Sequence, residues 1–281
     1  MRLLVLLLLS SLAAGCASFP RRLDYGRIES QAMGKPMGYS VYTPPGWTRS
    51  ESLPLVVFLH GGGDTPESFD KFGVGQALDR AIESGNAPRV VVVLPQGDLG
   101  FWENWYDGTR LFRDWVMREL LPRVQKEYNT MDCPEGCHVM GNSMGAHGAL
   151  RFALLEPGSF ASVTALSGPI FDAESVQQFG KRWYIRMFIP VKRIWGPLDD
   201  TERIESEDLY RRWRTQEDLG GIRLMIACGL HDRKGLAATN EKFHRHLEAQ
   251  GIEHEYVVFD GGHKWVDWIP VIVQALDDQV R

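Results

Sequence analysis

The chain has 281 residues, with 31 basic and 36 acidic side chains and a formal net charge of −5. That balance excludes a protein built to neutralise runs of nucleic-acid phosphates. Apolar residues at 44% and charged residues at 24% exclude a disordered chain, and four cysteines are too few for a disulfide scaffold.

The elements follow in chain order. Arg2 precedes an apolar run over residues 3–9, and Ala13-Ala14-Gly15-Cys16 follows. A positive start, a short apolar stretch and small residues before a cleavage point describe an export leader. The run is shorter than the roughly 20 apolar residues a membrane-spanning helix needs. Cys16 resembles the lipidated cysteine of a bacterial lipobox; an ordinary cleaved signal is the alternative. The expectation is a leader over 1–15, a tether and N-terminal segment over 16–36, and a domain over 37–281. The protein would then be exported and lipid-anchored to the bacterial envelope, with the outer membrane preferred. The anchor would be its only membrane contact.

Residues 37–42 read as an antiparallel edge strand ending at Pro44-Pro45. Short apolar runs at 55–59, 90–94, 138–140, 162–166 and 224–228 read as buried strands, and 253–260 as a further one. Helical spacing occupies 111–128 with a kink at Pro122, then 144–155, 236–250 and 265–280 with an interruption at Pro270. Strands alternating with helices predict an α/β fold: a mostly parallel central sheet with helices on both faces. Sites in such sheets lie at the carboxyl ends of the strands. Residues 171–221 break the rhythm and read as an insertion, a possible cap, before the acid-bearing strand. Cys133 and Cys137 flank a tight turn. They could close a small disulfide loop, stay free thiols or, with His138, hold a metal; lacking a fourth ligand, the metal reading is the weaker one.

Gly141-Asn142-Ser143-Met144-Gly145 follows a strand and opens a helix, the context of a nucleophile elbow. The glycines permit the sharp turn that projects Ser143. The Met144 backbone N–H then faces a developing oxyanion. His60-Gly61-Gly62-Gly63 at another strand end fits the second donor, from Gly62 or Gly61. A serine nucleophile needs a base and an orienting carboxylate, in the order Ser, acid, His for this architecture. His263, in the loop Gly261-Gly262-His263, stands where the base belongs. His147 would point into helix packing, and His244 and His246 sit on a surface helix. Asp232, just past a strand end, is favoured as the acid over Asp260, which is too close in sequence to His263 to reach the far side of its ring.

These residues resemble a known group. Residues 141–150 resemble the nucleophile motif of the esterase D and feruloyl esterase group of α/β-hydrolases. Gly261-Gly262-His263-Lys264-Trp265 with Trp268 resembles that group's histidine stretch, with Lys264 where Asp is common. Asp232, followed by Asn240 and Leu247, resembles its acid segment, and Glu119-Leu120-Leu121-Pro122 its Glu-Leu-Ile-Pro helix. The resemblance covers residues 37–277. It implies the α/β-hydrolase fold, Ser143 as nucleophile, Asp232 as acid, His263 as base, and Gly62 and Met144 as oxyanion donors, with no metal or cofactor.

The expected function is a serine carboxylesterase acting through an acyl-enzyme on a small-molecule or polysaccharide-linked ester. An acyltransferase of the cell envelope and a catalytically idle surface binding module are the alternatives. The nine tryptophans suggest the ester's character. Trp265 and Trp268 flank the His263 loop, and Trp102 and Trp105 follow a strand at the reactive edge. Trp183, Trp195 and Trp213 fall in the insertion. Six or seven near one cleft would favour a carbohydrate-linked or feruloyl ester, with Trp105 and Trp265 as substrate contacts.

Overall fold

The structure, a computed structural model, describes residues 23–280. The expected leader over 1–15 and the lipidation site Cys16 lie outside the described residues.

Eight strands form one sheet in the order β1-β2-β4-β3-β5-β6-β7-β8. They are β1 (Leu23–Ser30), β2 (Lys35–Tyr42), β3 (Leu55–Leu59), β4 (Val91–Pro95), β5 (Cys137–Asn142), β6 (Ser162–Leu166), β7 (Arg223–Gly229) and β8 (Glu255–Phe259). β2 is antiparallel to β1 and β4; β4, β3, β5, β6, β7 and β8 run parallel. The central strands read as unbroken apolar runs because both faces are covered. Alternation along β3 shows this directly. Leu55, Val57 and Leu59 enter one core layer with Ala149 and Phe152, while Val56 and Phe58 enter the other with Leu78 and Ile272. Burying a side chain such as Phe58, 1% exposed, contributes about 2–3 kcal/mol.

β1 lies within the segment expected to be a tether. It pairs with β2 along its whole length, from Leu23 opposite Tyr42 to Ser30 opposite Lys35. Only Leu23 and Ser30 of the strand are buried, so this outer edge carries no apolar alternation to read. Gly26 has its own reason: an added Cβ would meet the Tyr39 ring at 2.2 Å. The strand expected at the edge, β2, is therefore an inner one.

Both prolines predicted to disturb helices are accommodated. Upstream of Pro122 the helix widens to a π turn over Trp115–Leu120 and resumes as Leu121–Tyr128. Pro122 has no N–H for the Arg118 carbonyl, and the wider turn makes room for its ring. The helix Trp265–Val280 runs through Pro270 without a break. Burial of Trp268, Val271, Ile272 and Leu276 outweighs the one lost hydrogen bond.

Residues 171–221 carry no strand and fold as short helices between β6 and β7. Asp172, Asp200 and Asp208 each cap a helix by accepting a backbone N–H, from Ser175, Arg203 and Tyr210. The insertion is tied to the body through Arg151, which pairs with Glu103 at 2.8 Å and with Glu207 of the insertion. Cys133 and Cys137 are disulfide-bonded, and no metal-type cluster occurs among the described residues.

Candidate active site

Ser143 sits between β5 and the helix Met144–Leu155 with φ 54° and ψ −119°, a region that non-glycine residues avoid. The turn is held by the Ser143 N–H donating to the Leu166 carbonyl at 2.8 Å. It also depends on close backbone approach. A Cβ on Gly145 would lie 1.7 Å from the Leu59 carbonyl oxygen, and one on Gly141 2.2 Å from the Gly145 oxygen. No other residue fits either position. The sequence motif thus encodes the turn sterically, and the turn aims Ser143 out of the sheet edge.

His263 follows β8, and Asp232 follows β7. Their loops are stitched together by the His231 N–H donating to the Gly261 carbonyl at 2.8 Å. His263 Nε2 lies 2.9 Å from Ser143 Oγ, and His263 Nδ1 lies 3.0 Å from Asp232 Oδ1. A carboxylate only accepts, so Nδ1 carries the hydrogen and Nε2 is free to take the serine proton. Burial alone pushes the Asp232 carboxyl up. Hydrogen bonds from His263, Ser167 and the Arg233 backbone N–H outweigh it and hold the carboxyl below its ordinary range. Beside it, burial pushes the Cys228 thiol up to about 12, so this neighbour stays neutral. Asp260 is 91% exposed and pairs with His231 instead.

Two supporting residues, Ser167 and Asp267, were not found from sequence, and the role of Trp268, named there only as flanking the histidine loop, was not foreseen. Ser167, buried at the end of β6, donates to Asp232 and accepts the Trp268 indole N–H at 3.0 Å. Trp268 also packs edge-on against His263, with ring centres 4.8 Å apart. Asp267 accepts the Gly262 N–H at 2.9 Å and braces the histidine loop. Its place in the first turn of the last helix was a readable capping signal; Ser167 had none.

Gly62 and Met144 both line the cleft, and a Cβ on Gly62 would stand 4.0 Å from Met144 Cβ. Neither backbone N–H is taken by a backbone acceptor among the described residues. His60 braces this turn from below: Nδ1–H donates to the Gly61 carbonyl at 2.8 Å and Nε2 accepts the Gly97 N–H at 3.0 Å. Burial lowers its pKa and keeps it neutral in that role.

The cleft encloses about 650 Å³. Leu99, Phe101, Phe171, Phe179, Ile189 and Leu236 give it an apolar wall, and the insertion contributes Phe171, Phe179 and Ile189. Trp265 lines it, with its indole N–H on Asp64 at 3.3 Å. Trp105 does not line it. The loop after β4 folds back through the Asn104–Leu111 bridge, and the Trp105 ring packs near Phe112 and under Arg193. Trp102 lies buried beneath the site, Trp195 and Trp213 are core residues, and Trp183 is 70% exposed. Only Trp265 and Trp268 of the nine line the cleft, so the wall is mostly phenylalanine and aliphatic.

The eight-stranded topology with a serine at a strained strand–helix turn defines an α/β-hydrolase. Solved structures of the same fold include a ferulic acid esterase, with TM-score 0.72 and 20% identity over 90% of this chain and 96% of that one. Another is FphF, a fluorophosphonate-binding serine hydrolase of Staphylococcus aureus, with TM-score 0.72 and 19% identity over 92% and 98%. The family model described as "Putative esterase" matches residues 30–278, and the chain belongs to that family. Esterase Rv1288 of Mycobacterium tuberculosis is 27% identical over 263 residues, 86% of this chain. The chain spans 56% of that relative's length.

Proposed function

We propose that the protein is a serine carboxylesterase. The observation that carries this reading is the hydrogen-bonded series Ser143–His263–Asp232, with both distances at or below 3.0 Å. Ser143 Oγ attacks the ester carbonyl while its proton passes to His263 Nε2. The carbonyl electron pair moves to oxygen, which the Gly62 and Met144 N–H groups stabilise. Collapse breaks the bond to the alcohol oxygen, and His263 Nε2–H returns the proton to that leaving group. Water repeats the sequence on the acyl-enzyme and releases the acid. Every proton and electron pair comes from protein, ester or water. Asp232, ionised throughout, stabilises the His263 cation in both halves. The apolar cleft suits the acyl group.

Ser143→Ala is expected to reduce kcat on p-nitrophenyl acetate by roughly 10⁴-fold or more. It should also abolish labelling by a fluorophosphonate. Wild-type turnover in that variant would rule the assignment out.

A further inference from the structure

The cleft carries a charge pattern that ester cleavage does not use. Arg182, Arg233 and Lys264 line it, against one carboxylate, Asp64. All three cations are exposed, and none of their side chains has a partner among the described residues. Asp64 is already engaged by the Trp265 indole at 3.3 Å on each oxygen. Several arginines elsewhere are paired, Arg89 with Glu51, Arg118 with Glu156, Arg193 with Asp107 and Arg211 with Glu205, while Arg27 and Arg80 stand singly on the surface among the described residues. What sets Arg182, Arg233 and Lys264 apart is that all three line one cleft. The three cations come from separate places. Arg182 joins two helices of the insertion, Arg233 caps the helix Lys234–Ala249, and Lys264 precedes the last helix. Their convergence in a chain of net charge −5 is a local excess of positive charge that points to a ligand of opposite sign.

Two further features agree. The helix Lys234–Ala249 starts with no acidic residue in its first turn and no side-chain cap, and Gly235 of that turn lines the cleft. The Lys234 and Gly235 N–H groups have no backbone acceptor among the described residues and add positive potential to the cleft, beside the Asp232 carboxylate that accepts the Arg233 N–H. Asn142, fully buried in the cleft lining, has neither amide atom partnered among the described residues. A buried unpaired amide leaves hydrogen-bonding capacity in the cleft lining that a polar ligand group or water can fill.

We infer that the substrate is an anionic ester whose alcohol portion bears a carboxylate or phosphate held by Arg182, Arg233 and Lys264. The acyl group occupies the phenylalanine-lined part of the cleft. This deepens the esterase assignment and rests on it.

The test compares 4-acetoxybenzoate and 4-acetoxyphenyl phosphate with neutral 4-acetoxybenzamide. Each kcat/KM is divided by that ester's own alkaline hydrolysis rate. The anionic esters should be preferred about tenfold near 0.01 M salt, with the preference fading near 1 M as screening grows. The two anions separate a carboxylate site from a phosphate site. In the triple variant Arg182→Gln, Arg233→Gln, Lys264→Gln the ratio should fall to about one. A ratio near one in the wild-type protein, or one that survives the triple substitution, overturns the inference. Should no ester be cleaved, the esterase assignment fails, and calorimetric binding to Ser143→Ala decides this one. Tighter binding of the anions, weakened by the triple substitution, supports it, and equal binding of anion and amide overturns it.

Discussion

Ser143 holds its place at the strand–helix turn against its own backbone preference. A non-glycine residue at φ 54°, ψ −119° costs on the order of 1–3 kcal/mol, and packing of Gly145 against the Leu59 carbonyl leaves it no alternative. Glycine tolerates that region freely. Ser143→Gly is therefore expected to be inactive yet more stable, with Tm raised by about 2–4 °C for each kcal/mol of strain released. Calorimetric scans of the two proteins check this; an unchanged or lower Tm would show that the turn stores no strain. His263 and Asp232 carry no comparable strain argument. Their alignment comes from hydrogen bonds that Ser167, Asp267 and Trp268 supply. Those supports lie 101 and 5 residues from the groups they bond, as Trp268–Ser167 and Asp267–Gly262. The short-range one had a local signature and the long-range one did not.

Between elements, the decisive contact joins the insertion to the helix behind Ser143. Arg151 of that helix is buried, bonded to Glu103 at 2.8 Å and to Glu207 of the insertion. Burial would lower the pKa of Arg151 and raise that of Glu103, but their mutual attraction, with Glu207 acting on Arg151 and His147 on Glu103, reverses both; Glu103 falls to about 2. Removing one partner strands the other charge. Arg151→Met should cost about 3–5 kcal/mol, whereas Arg151→Met with Glu103→Gln should cost clearly less. Urea unfolding of both variants tests the difference, and equal losses would contradict it. The helices of the insertion were not read from the sequence, although Asp172, Asp200 and Asp208 stand at their N-caps and carried that signal. Which of their side chains would reach the cleft had no such signal.

For the whole molecule, acid stability has an identifiable contributor. His138 lies buried between β3 and β6, with Nδ1 at 2.8 Å from Ser162 Oγ. Burial, then the Arg223 charge, lowers its pKa from 6.5 to about 4. The folded protein keeps it neutral while the unfolded chain protonates it, so unfolding takes up a proton. Its contribution is intact above pH 6.5 and is lost as pH falls towards 4. The full shift corresponds to about 3 kcal/mol. His138→Gln should flatten the fall in stability across that window, measured by denaturant unfolding at several pH values. An unchanged slope would exclude His138 as the cause.

The amino-acid sequence by itself determined the parallel sheet, the strand–turn–helix around Ser143, and the chain order of Ser143, Asp232 and His263. Each depends on neighbours a few residues apart: runs of apolar side chains, flanking glycines, a histidine between a strand and a helix. Tertiary structure alone decided that residues 23–30 complete the sheet, because a solvent-facing edge strand needs no apolar alternation. It decided that Trp105 turns away from the cleft and that phenylalanines line it. It brought Arg182, Arg233 and Lys264 to one cleft. Those outcomes hang on contacts between segments far apart in the chain, where composition and spacing carry no information about distance.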